Sequence, residues 1–174
     1  YGDVWHHLSE LAYQVHPYRW PTIGKIPQHV EEATLEDVKN FFYKYYRPNN
    51  SILVIAGNLQ IEEVKSLVEK WFGEIPAGET PVRQLPPEPV QNEVHKRINS
   101  AKVPVDAIYL AFHTCSRIDK DFYAMDLLSD LLCDGPSSRL YRRLLKDQEL
   151  FSHIDCYITG SIDPGLIIIE GKPS

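Results

Sequence analysis

Between His16 and Gly73 the chain alternates backbone stops with apolar runs of fixed period, and that alternation restricts the folds open to it. His16-Pro17 ends the segment before it, because the residue preceding a proline is pushed out of the helical region. Pro17, Pro21, Gly24 and Pro27 keep the next stretch irregular. Thr34 then opens a helix. Its hydroxyl can accept the amide of Asp37, whose charge lies at the positive end of the helix dipole. Leu35, Val38, Phe41, Phe42 and Tyr45 form one apolar stripe, ended by Pro48-Asn49-Asn50. Residues 51–56 are apolar and rich in β-branched side chains, which predicts a buried strand closed by Gly57-Asn58. Ile61, Val64, Leu67, Val68 and Trp71 predict a second amphipathic helix, with Gly73 as its C-terminal cap.

The flanking sequence extends this pattern. Trp5, Leu8, Leu11 and Ala12 give residues 3–13 a helical period. Residues 77–93 change character, with Pro81, Pro86, Pro87 and Pro89 making a semi-extended linker. Beyond it, residues 94–100 and 107–113 predict strands, the latter alternating Ile108, Leu110 and Phe112 with Tyr109, Ala111 and His113. Residues 121–133 predict a helix broken at Asp134-Gly135-Pro136. Ser137 is placed to cap a further helix over 138–146. Residues 152–158 and 166–170 predict an antiparallel pair joined through 160–165. Helices mixed with hairpin-type connections predict an α+β fold, with helices packed on antiparallel-rich mixed sheets. The domains read as 1–80, a Pro-rich linker at 81–93, and 94–174. Opening at Tyr1 and closing on a strand-like run, the chain reads as a piece of a longer protein.

Composition limits the chemistry. A net charge of −6 over 174 residues disfavours nucleic acid and anionic membrane surfaces as partners. The apolar runs are strand-sized, short of the roughly 18 residues a membrane span needs. The composition fits a soluble protein, with cytoplasm and periplasm both open. Cys115, Cys133 and Cys156 lack CxxC spacing and predict buried thiols rather than a disulfide framework or zinc knot.

Seven histidines invite a search for metal ligands. His7-Leu8-Ser9-Glu10 starts like H-x-x-E-H, but Leu11 stands where the second imidazole is needed, so the geometry of a helical zinc site fails. His6 and His7 point about 100° apart on a helix and cannot share an ion. His16 suits loop packing better than ligation. His29, His95, His113 and His153 are isolated. Gly135-Pro136-Ser137-Ser138-Arg139 lacks the lysine and glycines of a phosphate loop, and a helix start is its simpler reading. Cys115 in His113-Thr114-Cys115-Ser116 has no placed base to make it a nucleophile. No catalytic residue and no metal ligand is expected from the residues themselves.

Taken in order, His16-Pro17-Tyr18, Pro21-Thr22-Ile23-Gly24, Tyr46-Arg47-Pro48-Asn49-Asn50, Ile55-Ala56-Gly57-Asn58 and Trp71-Phe72-Gly73 resemble the later part of an insulinase/pitrilysin-type (inverzincin) zinc metallopeptidase domain. Arg19-Trp20 replace the glycine-containing step usual there. Tyr123 to Leu132 and the 135–140 segment resemble the start of the second, homologous domain. The resemblance implies tandem α+β units of the mitochondrial-processing-peptidase type, both incomplete here. It implies zinc in the parent protein only, because the family's H-x-x-E-H and downstream glutamate would precede Tyr1. The substrate-binding arginine and tyrosine of many members fall at Leu145 and Ser152, which cannot do their work. The expected function is therefore a fragment of a zinc metalloendopeptidase that encloses peptides, this segment forming chamber wall and scaffold. The alternative is a non-catalytic interaction homologue that assembles with an active partner. Implied partners are a peptide substrate and a second peptidase-family protomer. Tyr18 and Trp20 are the candidate substrate-contact residues.

Overall fold

The computed structural model describes residues 2–174. It divides into two compact units. One joins the segment ending at Pro21 to Pro87–Ser174; the other is Thr22–Pro86. The first helix thus packs with the C-terminal part of the chain, a grouping the sequence reading of 1–80 does not contain.

The first unit is built on a three-stranded antiparallel sheet. β1 (Ile108–His113) and β2 (Phe151–Ile158) flank β3 (Leu166–Pro173). Register is set by Ala111 opposite Ile168 and Tyr157 opposite Ile168, so the middle of β3 lies between both neighbours. The β2–β3 connection turns at Gly160, whose φ of 56° suits glycine. At Gly165 any Cβ would collide with the Thr159 hydroxyl.

Period two along each strand sends side chains to opposite faces. On one face, Ile154, Cys156 and Ile167 meet Cys133 at the end of α5 (Phe122–Cys133), with Met125, Leu132, Leu140, Leu144 and Leu145 around them. On the other, Leu166 and Ile168 meet Tyr13, with Leu8 and Ala12 of α1 (Val4–Ala12) and Tyr18. Ile108, Leu110 and Phe112 share the α5-side face but stay exposed, because α5 packs over β2 rather than β1.

The helix expected over 138–146 is a π-helical turn at Tyr141–Asp147, where Gln148 N–H bonds to Arg143 O. Ser137 does not cap it; the Ser138 hydroxyl donates instead to Gly135 O at 2.9 Å. The strand expected over 94–100 is absent among the described residues, and Val94 is 92% exposed.

In the second unit a short α2 (Gln28–Glu31) precedes α3 (Leu35–Tyr45) and α4 (Ile61–Phe72). The expected cap is present, with Asp37 N–H reaching the Thr34 hydroxyl at 3.2 Å, and Thr34 N–H also reaches the Asp37 carboxylate at 2.9 Å, which completes a capping box. The Thr34 hydroxyl and amide hold the Asp37 carboxyl below its usual range. Thr34→Ala is expected to fray the start of α3, seen as faster amide exchange at Asp37 and Val38 with the α4 amides unchanged. Gly73 does close α4, but in right-handed helical conformation; a Cβ there would lie 2.5 Å from Glu69 O.

The buried strand expected at 51–56 is corrected. The segment carries no ladder bonds, and Ile52 and Val54 are 92% and 81% exposed. Its residues favour a pleated surface, but a strand also needs a neighbouring edge. The stripes of α3 and α4 likewise face outward, with Phe41, Phe42 and Trp71 each at least half exposed. No described helix is long and apolar enough to cross a membrane.

Candidate functional site

The loop after α1 is bonded to distant parts of the first unit. α1 already ends at Ala12, ahead of the stop expected at His16-Pro17, with Tyr13 extended, and the chain then makes a 3-10 turn at Pro17–Arg19. Three successive amides in this loop point at one carboxylate. Gln14, Val15 and His16 N–H donate to Glu88 at 2.5, 3.1 and 2.9 Å. Burial would raise the Glu88 carboxyl, but these amides, aided by the field of His113, outweigh it and hold the group below its usual range.

His16 is buried beside this nest. Its Nδ1 accepts Tyr18 N–H at 3.2 Å, and its Nε2 lies 3.4 Å from the Asp163 carboxylate. Tyr13 packs edge-on to Tyr18 and His113, at 5.7 and 5.5 Å between ring centres. Its hydroxyl donates to Pro164 O at 3.4 Å, and Tyr18 Oη accepts Asp163 N–H at 3.3 Å. Burial, then the nearby Tyr18, Glu88 and Asp163, push the Tyr13 phenol far up, so it stays protonated. The cluster fastens α1 to the β2–β3 turn.

The candidate substrate contacts separate here. Tyr18 is committed to the cluster through its ring and its hydroxyl. Trp20 is 44% exposed and presents an aromatic face to solvent. His16 takes the loop-packing place expected of it. Glu88 and Asp163 were not singled out in the sequence; a carboxylate in a Pro-rich tract gives no local sign that it will meet amides 72 to 74 residues away.

The partial zinc motif is engaged otherwise. The Arg97 guanidinium lies 3.1 Å from His7 Nδ1 and 2.9 Å from Glu10 Oε2, so a cationic side chain takes the place an ion would need. The hydrogen bond from Arg97 holds the Glu10 carboxyl low. His95 Nδ1 lies 2.8 Å from Leu11 O, and His153 Nε2 lies 3.6 Å from Glu170. Among the described residues no three histidine, cysteine or carboxylate groups converge on a point. These donors do not fit a zinc centre. Cys115 Sγ accepts from the Thr114 hydroxyl at 3.9 Å rather than facing a base. Leu145 packs against the core, and the Ser152 hydroxyl bonds to Lys172 O and Pro173 O.

Comparison with known proteins gives the arrangement its context. Residues 32–174 match the family described as the peptidase M16 inactive domain. The zinc protease PqqE of Helicobacter pylori is 30% identical over 159 residues, covering 87% of this chain and 36% of that protein. The probable mitochondrial-processing peptidase subunit beta of Schizosaccharomyces pombe is 27% identical over 176 residues, covering 94% of this chain and 38% of its own length. A crystal structure of a protease from Helicobacter pylori superposes with a TM-score of 0.79 at 26% identity, covering 99% of this chain and 42% of that one. The chain thus spans about two fifths of the length of these relatives. The motif order from His16 to Gly73, the α+β architecture and the inactive-domain match agree: the chain belongs to the M16 family of peptidases.

Proposed function

We propose that this chain is the scaffold portion of a zinc-dependent M16 endopeptidase, forming wall for a peptide-enclosing chamber and performing no hydrolysis itself. The observation that carries the reading is the pairing of the inactive-domain match over 32–174 with Arg97 seated between the only motif-like donors, His7 and Glu10. The outward apolar stripes of α3, residues 51–56 and α4 support it. Such surface needs cover, and we assign that cover to the remainder of a peptidase-like domain in a protein of the relatives' length. The division at 81–93 is proposed as the seam between two family domains, with Glu88 tying the seam to the end of α1. Trp20 is the proposed contact to peptide, through its exposed indole face. The name of the Schizosaccharomyces pombe relative, a subunit, supports a second reading in which the chain's protein assembles with an active peptidase-family partner.

The test compares this chain with a protein of the relatives' length. The chain alone is expected to retain no stoichiometric zinc after chelator-free purification and to leave an internally quenched peptide uncut. The longer protein is expected to cut it and to lose the activity on chelation. One zinc per copy of this chain, or cleavage by it, would overturn the proposal. Activity of the longer protein only after adding a family partner would select the second reading.

A further inference from the structure

Two of the three free cysteines lie in one buried cluster. Cys133 is the last residue of α5, and Cys156 lies in β2 on the face that α5 covers. They are 6% and 7% exposed, with Ile154 and Ile167 beside them. Both are thus held against apolar neighbours on the same side of the sheet. We propose that Cys133 and Cys156 form a modification site, a thiol pair that a peroxide converts to an internal disulfide fastening the end of α5 to β2.

Both sulfurs belong to the buried cluster formed where α5 packs on β2. Burial, with Cys156 and Asp155 adding to it, pushes the Cys133 thiol up to about 12. Burial and the Asp155 and Asp130 carboxylates also raise Cys156, while the Cys133 hydrogen bond lowers it. The proposed reaction opens at Cys156. Its thiolate attacks the O–O bond of the peroxide, the sulfur is oxidised to a sulfenic acid, and hydroxide leaves to become water. The Cys133 sulfur then attacks that sulfenic sulfur. The S–S bond forms, the S–O bond breaks, and the departing hydroxide takes the Cys133 proton as a second water. Two thiols and one hydrogen peroxide thus give one disulfide and two waters.

The fold supplies a route and excludes the third cysteine. Cys133 directly precedes the 134–136 break, where Gly135 has a φ of 74°, and helix ends of this kind open locally at low cost. Cys115 lies beyond the end of β1, next to Thr114, whose amide bonds to Gly165 O at the hairpin. Cys156 sits opposite Ile169, itself opposite Leu110. Five residues of extended chain from Leu110 to Cys115 span roughly 16 Å, out of reach of Cys156.

The test oxidises C115S, which leaves the buried cluster untouched, with hydrogen peroxide, then blocks residual thiols and maps peptides without reductant. The expected result is a Cys133–Cys156 cross-linked peptide, loss of both free thiols, reversal by dithiothreitol, and a higher unfolding midpoint for the oxidised protein. The reaction is expected to speed roughly tenfold per pH unit between 7 and 9, as thiolate attack requires. C133S is expected to stop at a Cys156 sulfenic acid trapped by dimedone. Separate sulfinic acids at the two positions in C115S, bridges between molecules only, or a Cys115-containing bridge in the unmodified sequence would overturn the proposal.

Discussion

Ile168→Ala is expected to lower the unfolding midpoint of the protein by roughly 10 °C, the largest effect of any single truncation in the sheet. Ile168 is 0% exposed, the most completely buried apolar side chain among the described residues. It lies mid-way along β3, opposite Ala111 on one side and Tyr157 on the other. Its side chain packs with Leu166 and Tyr13 beneath α1. Removing its outer carbons takes away their transfer free energy and leaves a void that neighbours bonded on both edges cannot fill. That combination costs about 3–4 kcal/mol. Ile52→Ala removes the same atoms from a side chain 92% exposed and is expected to change stability by less than about 0.5 kcal/mol. Thermal unfolding followed by circular dichroism compares the two variants directly. Equal losses, or a larger loss at Ile52, would mean that the sheet of the first unit is not the stability-determining core.

That contrast between two isoleucines also shows how far the sequence was legible. The helices at 4–12, 35–45, 61–72 and 122–133 were readable because their apolar residues recur at the helical period and their ends carry stops or caps, as Thr34 and Asp37 do. The strands at 108–113, 151–158 and 166–173 were readable from alternation and from the turn residues between the last two. Residues 51–56 have β preferences comparable to these and form no ladder. Residue preference records how a side chain suits a pleated surface; it carries no information about which edge is on offer. The same gap explains residues 94–100, which run extended beside α1 with His95 on Leu11 O and Arg97 on Glu10 rather than pairing as a strand. Ile108, Leu110 and Phe112 alternate as expected, yet their apolar side is the open one, because the placement of α5 is a tertiary choice.

At the loop cluster the local part was legible and the distant part was not. His16 before Pro17 marks a loop with a packing histidine. Nothing near it in sequence points to Asp163, and nothing in Pro87-Glu88-Pro89 points to amides at the end of the first helix. For the same reason the first helix was grouped with the residues that follow it, although Tyr13 and Leu8 pack on β3. Long-range contacts of this kind are made by shape and charge that assemble only on folding. Family resemblance reached further than local pattern, since it depends on the order of motifs rather than on the partners each one finds.

Glu88→Ala is expected to destabilise the first unit by about 2–3 kcal/mol at neutral pH, as measured by urea unfolding. The carboxylate receives three backbone amides from Gln14, Val15 and His16, and its removal takes away the acceptor all three share. Solvent reaches part of the Glu88 side chain, so the figure stays below the sum of three fully buried charged bonds. Glu88→Gln keeps one carbonyl acceptor but removes the charge, and is expected to lose about half as much. The pH dependence separates charge from shape. Because the folded carboxyl lies below its ordinary value of 4.5, the unfolded chain takes up a proton more readily than the folded one. The stabilisation is therefore complete above pH 4.5 and declines as pH falls towards and through the folded value. Both variants lack that decline at position 88, so their difference from the unmodified protein is expected to shrink on acidification. A gap that keeps its full size at pH 3 would show that Glu88 acts by filling space, and that the amide nest does not bind it as an anion.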